Sequence, residues 1–333
     1  MTLSRDRARD LIKKFAAQRI LVIGDLMLDR YIYGAVRRIS PEAPVPVVNV
    51  THEKCMPGGA SNVAWNVQSL GGRGEVAGVV GRDSDARALK SLLQQGGVGV
   101  NALWTHDDVR TTVKTRIIAD RQQVVRVDWE DALELEGESL EGFCGLLREQ
   151  VAEVDGVIIE DYGKGVISQA VVDAALSAAR TRGIPVGYDP KDDHALDVRG
   201  VTVATPNRKE AFAAVGMVEP LRERPPLDDP ELVEVSKRLL NKWGVELLVI
   251  TLGPHGMFLL EEGSKPVHVP TRAREVFDVS GAGDTVIAVS TLALAAGATH
   301  REAVELANYA AGVVVAKLGT APCSADELLG SVE

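Results

Sequence analysis

Arg19-Ile20-Leu21-Val22-Ile23-Gly24-Asp25 is a short apolar run closed by Gly-Asp, the pattern of a first strand buried on both faces whose carboxyl end opens onto a ligand crevice. Similar runs recur at Glu75 to Val80, Gly156 to Ile159, Pro185 to Tyr188, Val201 to Ala204 and Leu247 to Thr251. Helical patterns lie between most of them: Ala60 to Leu70, Asp83 to Gln95, Ser139 to Glu153, Ser168 to Arg182, Lys209 to Val215 and Pro230 to Trp243. This alternation specifies an α/β fold, a doubly wound and mostly parallel sheet flanked by helices.

Composition narrows the function classes. A chain of 333 residues, rich in glycine and poor in aromatics, suits one large domain built around a buried sheet. The formal net charge of −10 argues against a nucleic-acid partner, because affinity for a phosphate backbone comes from Lys and Arg. Cys55, Cys144 and Cys323 are widely spaced, with no C-x-x-C pair, and indicate neither a disulfide framework nor a structural zinc site. Ser4 to Arg19 reads as an amphipathic helix with Leu11, Ile12 and Phe15 on its apolar side, and lacks the apolar core of a signal peptide. No run approaches the ~20 apolar residues of a membrane span. The expectation is a soluble, cytoplasmic protein.

Two segments break the rhythm. Tyr31 to Tyr33 with Val45 to Val50, and Thr111 to Ile118 with Val124 to Glu130, read as strands without crossover helices. Ala119 to Gln123 would turn the second pair into a hairpin. Periodicity alone permits an ordinary antiparallel edge here. Pro41-Glu42-Ala43-Pro44-Val45-Pro46 is a rigid connector within the first pair, and Arg222 to Pro226 reads as an exposed loop.

Chemistry concentrates at the carboxyl ends of the runs. Asp278-Val279-Ser280-Gly281-Ala282-Gly283-Asp284 leads into an apolar helix, Thr285 to Ala296. Gly281, Ala282 and Gly283 let backbone approach a ligand, and the first N–H groups of the helix have no intrahelical partner, so the turn is suited to an anion. Asp284 stands where a phosphate would arrive and could take a proton from an attacking hydroxyl; an Asp in a first helical turn is also favoured by the macrodipole alone. Gly24-Asp25 and Leu28-Asp29-Arg30 offer carboxylates to sugar hydroxyls, or cap a local turn. Pro57-Gly58-Gly59-Ala60-Ser61-Asn62 brings a glycine pair into a helix. Thr205-Pro206-Asn207-Arg208-Lys209-Glu210 opens another, with Asn207 and Glu210 also spaced as a capping box. Thr251-Leu252-Gly253-Pro254-His255-Gly256 is a glycine turn after a strand, with His255 read as an exposed turn residue. Lys164 and Lys191 follow two further runs and are candidates for phosphate, or solvated surface lysines.

These motifs, in this order, resemble those of the ribokinase-like (PfkB) carbohydrate kinases, although Val279 and Ser280 depart from the usual residues at two tolerant positions. The resemblance implies Asp284 as catalytic base, with Gly281, Ala282 and Gly283 as the anion hole. It implies Asp25, Asp29, Gly58, Gly59 and Asn62 at the sugar. Asn207, Lys209, Glu210, Thr251, Gly253, Gly256 and Asn308 would then lie by the nucleotide, with ATP as donor. Mg²⁺ would be held through water and nucleotide near Glu210, with no direct protein metal site. The two interrupting segments, about 31–50 and 110–130, become a small β-sheet lid on a single domain of residues 1–333, often used for homodimerisation.

Gly-Asp-x-Met-Leu-Asp-Arg-Tyr at the first strand and Arg-Arg-Ile-Ser-Pro-Glu-Ala-Pro-Val-Pro after it resemble, more narrowly, the heptose 7-phosphate kinases of that family, over essentially the whole chain. That likeness implies phosphorylation at C1 of D-glycero-β-D-manno-heptose 7-phosphate, on the way to the ADP-heptose of lipopolysaccharide core. A substrate already carrying phosphate calls for cations, for which Arg37, Arg38, Lys114 and Arg116 are the lid candidates, beside Lys164 and Lys191. Some such kinases are fused to a nucleotidyltransferase with a His-x-Gly-His element; its absence from this sequence leads us to expect the kinase reaction alone. No Gly-x-x-x-x-Gly-Lys-[Ser/Thr] occurs and no Gly-x-Gly-x-x-Gly follows the first strand, which disfavours a Walker NTPase and a dinucleotide dehydrogenase. The competing readings are a kinase of the same fold for another sugar, and a non-catalytic nucleotide or sugar sensor.

Overall fold

The computed structural model describes residues 3–120, 122–131, 133–191, 194–220, 224–273, 275–317 and 319–332. Its strands are β1 (Arg19–Gly24), β2 (Leu26–Ile39), β3 (Pro46–Gly59), β4 (Arg73–Gly81), β5 (Gly99–His106), β6 (Thr112–Ala119), β7 (Gln122–Trp129), β8 (Gly156–Glu160), β9 (Val186–Asp189), β10 (Val203–Ala204), β11 (Leu247–Thr251), β12 (Met257–Glu261) and β13 (Val267–Val269). The helices are α1 (Arg5–Phe15), α2 (Ala60–Ser69), α3 (Ser84–Gln95), α4 (Gly137–Val151), α5 (Gln169–Arg182), α6 (Arg208–Ala214), α7 (Pro230–Trp243), α8 (Ala282–Ala295), α9 (His300–Val314) and α10 (Ala325–Ser331). Arg121 in the expected hairpin turn, and Arg222 and Glu223 in the expected exposed loop, lie outside the described residues.

Nine strands form the large sheet in the order β13-β12-β11-β10-β9-β8-β1-β4-β5. Strands β5 through β11 along that row run parallel, and β12 and β13 add an antiparallel edge. Both faces are covered, and alternation within each strand divides the core. Ile20, Val22 and Ile158 pack with α2, α8 and α9, whereas Leu21, Ile23, Val157 and Ile159 pack with α4 and α5. Each such side chain, fully buried, contributes about 1.5–3 kcal/mol. Local signals fix the helix ends. Ser4, Asp83, Ser168 and Asp229 each accept an N–H of the first turn of α1, α3, α5 and α7, and left-handed Gly183 and Gly244 terminate α5 and α7.

Helix α8 differs from the rest, because every residue from Asp284 to Ala293 is buried. It lies between the sheet, at β8 and β9, and helices α2 and α9. Its first turn therefore emerges at the carboxyl ends of the parallel strands, where Gly283 alone in the helix is exposed.

The second sheet has the order β3-β2-β6-β7. Its first pair is longer than the sequence suggests. Leu26 pairs with Gly59 and the ladder continues to Ile39 opposite Pro46, so Leu28-Asp29-Arg30 and Pro57-Gly58-Gly59 are strand residues, not loops. Pairing with each other satisfies backbone groups that a solitary reading leaves in a loop. β6 joins β2 in parallel and forms the expected antiparallel hairpin with β7. Among the described residues no helix is long and apolar enough to cross a membrane.

Candidate active site

Strand register brings the chemistry to one line. Gly24 pairs with Glu160 and Glu160 with Asp189, so the carboxyl ends of β1, β8 and β9 stand side by side. The tip of α8 faces them. Glu160, Tyr162, Asp189, Lys191, Thr205, Asn207, Glu210, Thr251, Gly283 and Asp284 line a cavity of about 170 Å³ there.

Asp284 is 7 % exposed, and both its oxygens are engaged. Asn62 Nδ2 donates to Oδ2 at 2.6 Å and the Tyr162 hydroxyl donates to Oδ1 at 2.8 Å. Burial pushes this carboxyl above its ordinary range, and the two donated hydrogen bonds oppose that rise. Gly281 caps α8 with φ +77°, and a Cβ on it would sit 3.0 Å from Asn62 Nδ2, so glycine is what lets the tip close over the asparagine. Of the three amides expected to form an anion hole, the Ala282 N–H turns back to the Val279 carbonyl at 3.2 Å, leaving Gly281 and Gly283 as the tip amides with no protein acceptor among the described residues.

Behind Asp284, Glu160, buried, and Asp189, half-buried, are carboxyls on adjacent strands. Glu160 is pushed well up by burial first, then by Asp189 and Asp284; Asp189 likewise by burial, then by Glu210. Thr205 Oγ1 donates to Asp189 at 2.7 Å, while Glu160 Oε2 has no hydrogen-bond partner among the described residues. Asn207 and Glu210 form the reciprocal capping box of α6, at 2.9 and 2.8 Å, and still face the cavity. Lys209 projects from the first turn of α6 and is exposed. Gly253 opens and Gly256 closes the short turn after β11, where the Leu252 N–H reaches the Gly256 carbonyl at 2.8 Å.

Beyond the tip of α8, a cavity of about 920 Å³ separates the small sheet from the main body. Tyr31, Lys54 and Arg116 line it from the small sheet; Asp278, Ser280 and Thr320 line it from the body. Lys54 and Arg116 flank Tyr31 in register on β3 and β6, so the three form one row across the sheet. Arg116 lies 5.2 Å from the Tyr31 ring centroid and donates to Asp29 Oδ1 at 2.7 Å. Asp29 is raised by burial, with Arg116 opposing. Gly58 makes room for it, since a Cβ there would stand 2.9 Å from the Asp29 carboxyl carbon. Gly59, at the N-cap of α2, lies against the Asp25 carbonyl.

Several expected roles change. Asp25, expected at the sugar, is held by the loop after β8: its Oδ2 accepts the Tyr162 and Lys164 amides at 2.9 and 3.0 Å and its Oδ1 the Val166 amide at 3.1 Å. Asn62, expected at the sugar, gives its Nδ2 to Asp284 Oδ2. Asn308 donates to the Pro270 carbonyl at 2.7 Å and lines a separate cavity with Arg272, Glu305 and Tyr309, tying a loop to α9. Arg37 and Arg38 are exposed at the far end of β2. Arg38 is nine positions from Asp29, about 30 Å along an extended strand, too far to share its ligand. Lys114 pairs with Asp128 and Glu130 at 3.4 Å each, and Lys164 with Glu130 at 2.8 Å. Lys191 remains at the cavity wall. Sequence reading missed Tyr162, Glu160 and Lys54. The first two sit at the end of a recognised strand beside residues chosen for their charge; Lys54 had no signal before the register of β2 and β3 was known.

A parallel sheet with a buried carboxylate at a glycine-capped helix tip defines a kinase-type site, and the comparisons agree. The profile of the pfkB family carbohydrate kinases matches residues 17–327, and the chain belongs to that family of phosphotransferases acting on sugar hydroxyls. It is 43% identical over 321 residues, 96% of its length, to the bifunctional protein HldE of Alcanivorax borkumensis, and 45% over 326 residues, 98% of its length, to that of a Caulobacter species. The chain spans 65% of the length of each of these relatives. Arabidopsis thaliana ribokinase complexed with ribose and ATP superposes with TM-score 0.72 at 19% identity, over 95% of this chain and 99% of that one. Escherichia coli phosphofructokinase-2 in complex with potassium gives 0.73 at 21%, over 95% and 98%. At such identities these two speak for the fold, which is ribokinase-like.

Proposed function

We propose that this carbohydrate kinase transfers the γ-phosphoryl group of ATP to the C1 hydroxyl of D-glycero-β-D-manno-heptose 7-phosphate, giving the 1,7-bisphosphate used toward ADP-heptose and lipopolysaccharide core. The observation that carries this reading is the position of the α8 tip between two cavities, with Gly283 and Asp284 lining one and Ser280, just before the helix, lining the other. One is small, carboxylate-rich and beside the α8 tip; the other is large and carries Lys54 and Arg116 on its far wall. A sugar phosphate fits the larger space with its acceptor hydroxyl toward Asp284 and its own phosphate toward the cations. Likeness to the HldE proteins over nearly the whole chain supports the same choice.

In this reading Asp284 orients the acceptor hydroxyl and takes its proton late, as the bond to phosphorus forms. The Gly281 and Gly283 amides face charge on the transferring group. Asn207, Thr251, Gly253 and Gly256 border the nucleotide, and Lys191 reaches its phosphates. The carboxylate-rich wall, with an unpartnered Glu160 oxygen, suits a hydrated cation, while no cluster among the described residues forms a direct metal cage. Glu210 would hold Mg²⁺ through water, and the ion would supply neutralisation of phosphate charge. Residues 1–333 act as one domain with the small sheet as its lid, which closes to exclude water. Ile39, Val50, Val127 and Trp129 are exposed on that sheet, which supports homodimerisation through it. ATP as donor places the reaction in the cytoplasm.

Turnover measured by ADP release on heptose 7-phosphate, fructose 6-phosphate and ribose tests the assignment. We expect kcat/KM at least about tenfold higher for the heptose phosphate, the discrimination one lost polar contact confers. Equal or better turnover of fructose 6-phosphate or ribose assigns another sugar, and binding of ATP and sugar without turnover on any of the three makes the protein a sensor.

A further inference from the structure

We infer that Tyr162 is a positioning residue of the phosphoryl-transfer site, holding the Asp284 carboxylate in its reactive orientation from a loop that is anchored to the lid. The inference rests on the assignment of Asp284 as base. Tyr162 stands one residue past the end of β8, and its hydroxyl reaches Asp284 Oδ1 at 2.8 Å across the small cavity it helps to line. Asn62 holds the opposite oxygen, so the carboxylate is gripped from two elements and its rotation about the Cβ–Cγ bond is blocked. A base that must meet a hydroxyl within hydrogen-bond reach gains from such fixing.

The loop bearing Tyr162 is itself restrained at every turn. Asp25 binds the amides of Tyr162, Lys164 and Val166. Asp161 Oδ1 accepts the Gly163 amide at 2.8 Å, and His194 Nδ1 lies 2.6 Å from Asp161 Oδ2. From the same loop Lys164 pairs with Glu130, the residue following the last strand of the small sheet, and Lys114 of β6 pairs with Glu130 as well. A continuous path of polar contacts thus runs from the small sheet through Glu130, Lys164 and the loop backbone to Tyr162 and Asp284. Asp25 acquires a reason to be buried and fully bonded that sugar binding does not give.

Around Asp284 the charged or titratable neighbours are Glu160 on β8, Asp189 on β9, Asp29 on β2 and Tyr162, with Asp161, Glu210 and Lys191 on the wall of the same small cavity. Five are carboxyls against one lysine, so the donors from Tyr162 and Asn62 carry much of the task of favouring the ionised base. Burial, then the nearby Asp284 charge, pushes the Tyr162 phenol well above its ordinary range, so it keeps its proton and donates it.

The test is Tyr162→Phe in the full chain, read first without substrate. Carboxyl ¹³C NMR titration, with Asp284→Asn identifying the resonance, should show the Asp284 midpoint displaced upward by about one unit, because the lost hydrogen bond favoured the charged form. In turnover, kcat should fall about tenfold or more, the acid limb of its pH profile should move the same way, and KM for ATP should stay within about twofold. An unchanged midpoint, or a uniform loss at every pH, would overturn the inference. Should the variant unfold, Lys164→Gln gives the second reading: weakening the anchor to Glu130 should move the same midpoint in the same direction by a smaller amount, and no movement counts against the proposal. The titration needs no sugar, so its result stands apart from whether the heptose assignment holds.

Discussion

Asn62 Nδ2 lies 2.6 Å from Asp284 Oδ2, joining residues 222 apart in sequence at the facing ends of α2 and α8. A second contact one turn deeper repeats the connection: Thr285 Oγ1 donates to Asn66 Oδ1 at 2.9 Å, and Asn66 Nδ2 donates to the Asn62 carbonyl at 2.9 Å. The asparagines of α2 therefore fix the tip of the helix that carries the base. Asn62→Ala removes a donor from a buried carboxylate, which costs about 1–3 kcal/mol. We expect kcat to fall about tenfold or more and urea unfolding to shift to lower concentration. Unaltered kcat with altered stability would make Asn62 a packing residue only.

Lys54 and Arg116 sit on either side of Tyr31 above the large cavity, but their circumstances differ. Arg116 neutralises buried Asp29, so its removal leaves a buried charge unpaired and compromises folding as well as binding. Lys54 is exposed and makes no ion pair among the described residues, so Lys54→Gln isolates recognition. KM for the phosphorylated sugar should rise about fivefold or more, that for its unphosphorylated analogue less than about twofold, as expected for one charge-assisted contact. Equal effects on both would remove phosphate recognition from this side of the cavity.

Arg7 Nε donates to Glu302 Oε1 at 2.8 Å and fastens α1 to the start of α9. That hydrogen bond, more than any other cause, holds the Glu302 carboxyl down to about 2 from an ordinary 4.5. A depressed carboxyl contributes stability that is complete above the unfolded value and is lost as pH falls through the folded one. Glu302→Gln keeps the capping geometry with Thr299 while removing the charge. The melting-temperature gap between native chain and variant should be present near neutral pH and shrink progressively below about pH 4.5. A gap that persists undiminished toward pH 3 would show that it does not arise from the ionised pair.

What the sequence made legible was the doubly wound core, because buried strands such as Leu247–Thr251 and capped helices such as Pro230–Trp243 carry their signals within a few residues. The strands β5, β12 and β13 went unread. β5 mixes apolar with polar residues at the sheet edge instead of forming a continuous apolar run, and β12 and β13 follow a turn with no crossover helix to set them off. The α8 tip was legible as a motif, but the partners of Asp284 were not. Asn62 and Tyr162 reach it through folding of distant segments, and nothing in Asp161-Tyr162-Gly163-Lys164 indicates that the phenol, instead of the lysine, points into the crevice. The partners of Asp25 were hidden for the same reason: a carboxylate at a strand end can serve a ligand or a loop, and here three loop amides bind it.

The central claim is that Asp284 accepts the proton of the attacking sugar hydroxyl. Steady-state turnover of Asp284→Asn, measured beside its ATP dissociation constant, addresses it directly. We expect kcat lower by about 10²–10⁴-fold with ATP affinity within about twofold of the native chain. A variant retaining more than about a tenth of native kcat would contradict it.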